Sequence, residues 1–306
     1  MDPLLKAEIS GFTDWHINTA SPSNSVLFPG PQAIPAKYGE FAQALAGAIT
    51  AGYKPGVHSF LVEVEDLKYR VQFMREGRFA ARTLPKTPPQ LTKLGFKSEY
   101  TNMLTASDLK TTGGLILVSG LTGSGKSTTA AATVVERLKT MGGYCLTVED
   151  PPEMPLEGFH GQKGYCEQLD ASEDGYQEKL ASALRCFPAR EQSMLLFGEV
   201  RDAASAAEML RIAVDGHLVI STVHAKDIIT ALQRVIALAK QGGEPEATAL
   251  LANSLKLVMH QRLDNNIPQI SALKSDNMVA ATIRAGNIEN LMDAIRKTQQ
   301  QARSAA

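Results

Sequence analysis

Gly120-Leu121-Thr122-Gly123-Ser124-Gly125-Lys126-Ser127 has the form GxxxxGKS and stands between an apolar run, Leu115-Ile116-Leu117-Val118, and a helical stretch, Lys126–Thr140. Strand, Gly-rich turn and helix in succession is the setting in which this pattern wraps a phosphate. The glycines let backbone N–H groups turn inward around a β-phosphate, and the helix N-terminus adds a partial positive charge. In that arrangement Lys126 reaches the β- and γ-phosphates and the Ser127 hydroxyl ligates Mg²⁺. Gly120, Thr122, Gly123, Ser124, Gly125 and Thr128 complete the loop and its first helical turn. At average composition the four fixed positions arise by accident in about one such chain in a hundred. A flanking strand lowers those odds further, so the segment predicts a bound nucleoside triphosphate.

Outward from the loop, strands alternate with helices. Strands are predicted at Leu115–Val118, Tyr144–Val148, Met194–Phe197 and Leu218–Thr222, and helices at Lys126–Thr140, Tyr176–Phe187 and Ala204–Val214. Short, wholly apolar strands of this kind suit a parallel sheet covered on both faces. Beyond Thr222 the pattern turns helical, at Ile228–Lys240, Ala247–Gln261 and Ile288–Ala302. The fold class is therefore α/β over residues 113–306, with a helical C-terminal part. Residues 1–98 differ: turn residues crowd Ser21–Pro35, a helix is predicted at Tyr38–Ala51, and alternating strands at Ser59–Glu65 and Leu67–Met74. They read as a small α+β domain, and residues 99–112 as a linker.

Composition limits the partners. The 306 residues carry a net charge of −1, which offers no global basic field for a nucleic acid. Cys145, Cys166 and Cys186 form no CxxC pair and read as small buried apolar residues of a reducing compartment. No apolar run approaches the ~18 residues of a membrane span. The expectation is a soluble, cytoplasmic protein with no nucleic-acid partner.

Three further blocks carry chemistry. Val148-Glu149-Asp150-Pro151-Pro152-Glu153 ends the second strand, on the side where α/β sheets bind ligands. Glu149 and Asp150 there are placed to orient Mg²⁺-bound water or the attacking water, the alternative being a solvated acidic turn. Leu195-Leu196-Phe197-Gly198-Glu199 is an apolar strand ending in an acid, with Glu199 as base or water-positioner. Arg201 and Asp202 follow at once and are candidates for an ion pair capping the next helix. Gly216-His217-Leu218-Val219-Ile220-Ser221-Thr222-Val223-His224 places His224 at a strand end beside the phosphates, although a lone histidine is more often a surface or core residue.

With these blocks in order, GLTGSGKST, TVEDPPE, LLFGEVRD and GHLVISTVH, the chain resembles the type II/type IV secretion ATPase superfamily. The resemblance extends to its type IV pilus retraction motors and its type IVB secretion or conjugation ATPases. It implies an N-terminal PAS-like domain, to which Thr13-Asp14-Trp15-His16-Ile17 is similar, and a RecA-like ATPase domain. It also implies a Mg²⁺-dependent, ATP-hydrolysing homo-hexamer at the inner membrane, recruited through platform proteins of a pilus or secretion machine. In such rings arginines from a neighbouring subunit complete each site. Arg70 and Arg82 are the candidates here, with Arg75 and Arg78 beside them, and a basic solvated edge is the plainer account of any one. The tail departs from the retraction signature: in Met278–Ala285 and Gly286, only Ile283, Arg284 and Gly286 match. A nucleotide-gated assembly subunit with little turnover is the alternative function.

Overall fold

The computed structural model describes residues 2–110, 113–172, 179–180, 183–265 and 267–304. The chain divides into two compact units. The first is built on residues up to Thr87, joined by Asp150–Pro155 and the stretch starting at Asp170; the second takes the remainder.

The first unit holds α1 (Pro3–Ser10), β1 (Asp14–Asn18), β2 (Val26–Phe28), β3 (Gln32–Ala33), α2 (Gly39–Gly52), β4 (Ser59–Val64), β5 (Leu67–Arg75) and β6 (Arg78–Thr83). Its sheet runs β3-β2-β1-β6-β5-β4. Alternation along β1 buries Trp15 and Ile17 and turns Asp14, His16 and Asn18 outward. Phe41, Leu45 and Ile49, four residues apart on α2, bury against the same core as Trp15 and Tyr69. The turn-rich segment Ser21–Pro35 thus contributes two short strands that its composition conceals.

The second unit begins with α3 (Ser98–Leu104) and β7 (Gly114–Gly120), every residue of which is buried. Then come α4 (Lys126–Met141), β8 (Gly143–Glu149), β9 (Gly158–His160), β10 (Gly164–Asp170), β11 (Ser193–Val200), α5 (Ala203–Val214) and β12 (Leu218–His224). The chain continues with α6 (Ile228–Gln241), α7 (Ala247–Ser254), β13 (Leu255–Asp264), β14 (Ile267–Lys274), α8 (Asn277–Arg284) and α9 (Met292–Ser304). The sheet order is β14-β13-β7-β12-β11-β8-β10-β9. Its centre, β13-β7-β12-β11-β8, is parallel throughout.

Two expectations change. The helix predicted over Ala247–Gln261 stops at Ser254, and Leu255 begins a strand. Leu255, Val258 and Met259 fit a helical stripe, yet they belong to a strand buried between neighbours, where alternation disappears. Cys145 and Cys166 are buried as expected, whereas Cys186 is exposed, in a 3₁₀ turn at Leu184–Cys186. The predicted helix Tyr176–Phe187 falls partly outside the described residues, and within it Leu184–Cys186 form a 3₁₀ turn. No helix among the described residues is long and apolar enough to cross a membrane.

Candidate functional site

The site of the second unit is assembled at the C-terminal ends of β7, β12 and β11. Gly123 and Gly125 take positive φ, 76° and 83°, which lets the loop turn between β7 and α4 without a Cβ penalty. Gly125 is the N-cap of α4, so the free N–H groups of that helix open into the loop. Lys126 is 7% exposed, and its Nζ donates to the Leu121 carbonyl at 3.1 Å. Burial lowers its pKa, an effect Glu199 opposes and Arg201 reinforces. Ser127 in the first turn stays exposed, and Thr128 is half-buried.

His224 pairs in register with Gly120 across β12 and β7, which delivers its ring to the loop. Its Nε2 lies 3.4 Å from both Lys126 Nζ and Thr122 Oγ1, and 3.2 Å from Glu199 Oε1. Burial, then the Lys126 charge, pull its pKa below 6.5, so the imidazole is neutral at pH 7. A neutral Nε2 either accepts from Lys126 and Thr122 or donates to Glu199, and it cannot do both at once.

Glu199 follows a bulge. Phe197 pairs with Ser221 and Glu199 with Thr222, leaving Gly198 unmatched. The Gly198 carbonyl accepts from Ser221 Oγ at 3.1 Å and Thr222 Oγ1 at 3.4 Å, so two hydroxyls of β12 hold the bulge that aims the acid. Arg201 Nε donates to Glu199 Oε2 at 2.8 Å. Asp202 caps α5, accepting from Ser205 N at 2.9 Å.

The remaining predicted residues lie at the end of β8, which neighbours β11, and in the first unit. Glu149, at the end of β8, accepts from Gln168 Nε2 at 3.2 Å, and Gln168 Oε1 in turn accepts from the N–H groups of Leu156 and Glu157. Asp150 belongs to the stretch that packs with the first unit. In that unit Arg70 and Arg82 face each other across β5 and β6. Like charges so placed repel, and each has its own acid: Asp14 for Arg82, at 2.9 Å, and Glu153 for Arg70. With Gln72 and Ala80 they line an open groove on the sheet. Arg75 and Arg78 pair further along the same two strands.

The residues fit a nucleotide with its cation: a loop with glycines at positive φ, a buried lysine, an exposed serine at the helix start. Among the described residues no cluster of three His, Cys, Asp or Glu could hold a metal ion. Sequence reasoning missed Gln261, on a strand taken for a helix, and the hydroxyls of Ser221 and Thr222 as supports of the bulge. Spacing gave no signal for the first; a paired Ser-Thr beside an acid-bearing strand was a weak one for the second.

A family model described as Type II/IV secretion system protein matches residues 64–303. The chain belongs to this family. This secretion-family chain is 31% identical over 246 residues to the uncharacterized protein YggR of Escherichia coli K12, covering 78% of the chain and 72% of YggR. It is 32% identical over 205 residues to the type IV pilus retractation ATPase PilT of Pseudomonas aeruginosa, covering 65% of the chain and 56% of PilT. Type II secretion system protein E of Klebsiella pneumoniae is 38% identical over 150 residues, which is 49% of the chain and 27% of that protein. The chain thus spans little more than half of PilT and about a quarter of protein E. Its fold is shared with the crystal structure of the pilus retraction motor PilT with bound ADP, at TM-score 0.72 and 23% identity, covering 96% of this chain and 88% of that one. The ATPase DotB of Legionella pneumophila matches at TM-score 0.71 and 20% identity, covering 98% and 86%.

Proposed function

We propose that the chain is a Mg²⁺-dependent ATPase that works as a ring, most simply a homo-hexamer, to power a type IV pilus or a type IV secretion machine. The observation that carries the reading is the convergence of Lys126, His224 and Glu199 at one end of the sheet, with His224 Nε2 3.4 Å from Lys126 Nζ and 3.2 Å from Glu199 Oε1. It brings a phosphate-binding lysine close to an acid able to orient water. ATP binds at Gly120–Thr128, with Lys126 offsetting phosphate charge and Ser127 holding the cation. Bound Mg²⁺ supplies charge neutralisation on the phosphates. Glu199 aligns or deprotonates the attacking water, and Asp150 and Glu149 serve as further cation and water positions. The first unit takes a PAS-like role, presenting Arg82 and Arg70 to a neighbouring subunit, and the second a RecA-like one. Family membership supports recruitment to inner-membrane platform proteins from the cytoplasm.

ATP turnover measured against protein concentration, with Glu199→Gln and Arg82→Ala alongside, tests this reading. Specific activity that rises with concentration and is lost in Glu199→Gln supports composite sites. Recovery of activity on mixing Arg82→Ala with Glu199→Gln identifies an arginine acting in trans. A second reading, a nucleotide-gated subunit with little turnover, is favoured by the Arg201–Glu199 ion pair, which already occupies one oxygen of the acid. Tight nucleotide binding with no turnover at any concentration would select it.

A further inference from the structure

Gln261 on β13 is 2% exposed, and its amide is used at both ends. Nε2 donates to the carbonyl of Ser124 inside the loop, and Oε1 accepts from Thr129 Oγ1, in α4, at 2.7 Å. The strand is held level with the loop because His260 pairs with Ser119 across β13 and β7, and His260 Nδ1 lies 3.1 Å from Ser119 Oγ. Two glycines make the room. A Cβ at Gly125 would stand 3.0 Å from Gln261 Nε2, and one at Gly120 would strike the Gln261 carbonyl oxygen and Ser124 Oγ.

A trans peptide is planar, so the Ser124 C=O and the Gly125 N–H point in opposite directions. Holding the carbonyl toward Gln261 therefore turns the N–H of Gly125 away from β13, into the concave side of the loop. We propose that Gln261 is a positioning residue for phosphate recognition: it fixes the Ser124–Gly125 peptide plane, and Thr129 fixes Gln261. This rests on the nucleotide reading above. It assigns to the strand after the helical region a direct hold on loop geometry. A rotated plane would offer phosphate a carbonyl oxygen where it needs a donor, so the loss falls on nucleotide affinity rather than on the chemical step.

The test uses the whole chain, with N-methylanthraniloyl-ADP as the probe, read by fluorescence anisotropy, and the steady-state kinetics of ATP turnover. Gln261→Met keeps volume and removes both hydrogen bonds. It is expected to raise Kd and KM about tenfold while kcat changes far less. Thr129→Val is expected to raise Kd by less, and the double variant to bind no worse than Gln261→Met alone, because Thr129 acts through Gln261. Val279→Ala, at a buried position within α8, controls for destabilisation: a lower melting temperature with wild-type Kd. Wild-type affinity in Gln261→Met overturns the proposal, as do losses that add in the double variant. Should Gln261→Met fail to fold, an unchanged Kd in Thr129→Val overturns it equally. Wild-type protein that binds no labelled ADP would instead sink the nucleotide reading, and this inference with it.

Discussion

His224 Nε2 stands 3.2 Å from Glu199 Oε1, tying the end of β12 to the end of β11. β12 separates the loop strand from the strand bearing the acid, so the imidazole spans the gap that topology creates. Glu199→Gln keeps the shape and removes the base. Turnover is expected to fall about 10²–10⁴-fold while nucleotide affinity is retained. Equal losses in affinity and turnover would show that Glu199 acts on binding instead.

Lys126 carries a charge in a desolvated position, and its hydrogen-bond partners, the Leu121 carbonyl and the His224 ring, carry no full charge. Lys126→Met is therefore expected to leave the melting temperature of nucleotide-free protein unchanged or raised, since burying an ion costs more than burying a thioether. The same variant loses the upward shift that ADP gives the wild type. A clear drop in stability without nucleotide would contradict the assignment.

The Gly198 carbonyl takes two hydroxyl donors, so removing both with Ser221→Ala and Thr222→Val frees the bulge. Each loss costs about 1 kcal/mol of stability. The diagnostic effect is on kcat, expected to fall at least tenfold with Kd for ADP unchanged, because the bulge positions Glu199 and leaves the loop alone. Michaelis parameters with a melting curve for each single and double variant check this.

Burial holds His217, His224 and His260 below their ordinary 6.5, with the Lys126 charge adding to the effect at His224. Below that pH the unfolded chain binds more protons than the folded one, so acid favours unfolding. The stability is whole above pH 6.5 and declines as pH falls toward the histidines' folded values. Melting temperature is expected to drop between pH 7.5 and 5.5, and His217→Gln to flatten the drop. A melting temperature that is level across this window would refute the linkage.

Arg82 pairs with Asp14 at 65% side-chain exposure, where an ion pair contributes at most about 1 kcal/mol. Arg82→Ala is thus expected to melt within a few degrees of the wild type while losing turnover. Unfolding in proportion to lost activity would return this arginine to a structural role.

Much of this was readable in the chain because it is local. The GxxxxGKS pattern constrains strand, loop and helix together, and α4 begins at Lys126 as predicted and ends one residue beyond Thr140. What escaped depends on partners distant in sequence. Leu255–Gln261 satisfies a helical stripe, and only insertion beside β7 makes it a strand, with Gln261 meeting a loop 137 residues away. The strands β9 and β10 mix Gly, Tyr, Cys, Glu and Gln, with no alternation strong enough to mark them. Counting residues along β11 would set Glu199 opposite Val223, and the bulge sets it opposite Thr222. A bulge held by hydroxyls on another strand leaves no period to count.

The desolvated lysine has a consequence for the lifetime of the protein in a cell. Any ligand that binds only folded molecules draws them away from the unfolded pool, and an anion at Lys126 also offsets the cost of its burial. Molecules without nucleotide are then the ones most often caught open by proteases, so the lifetime of the chain would lengthen with the concentration of any nucleotide it binds.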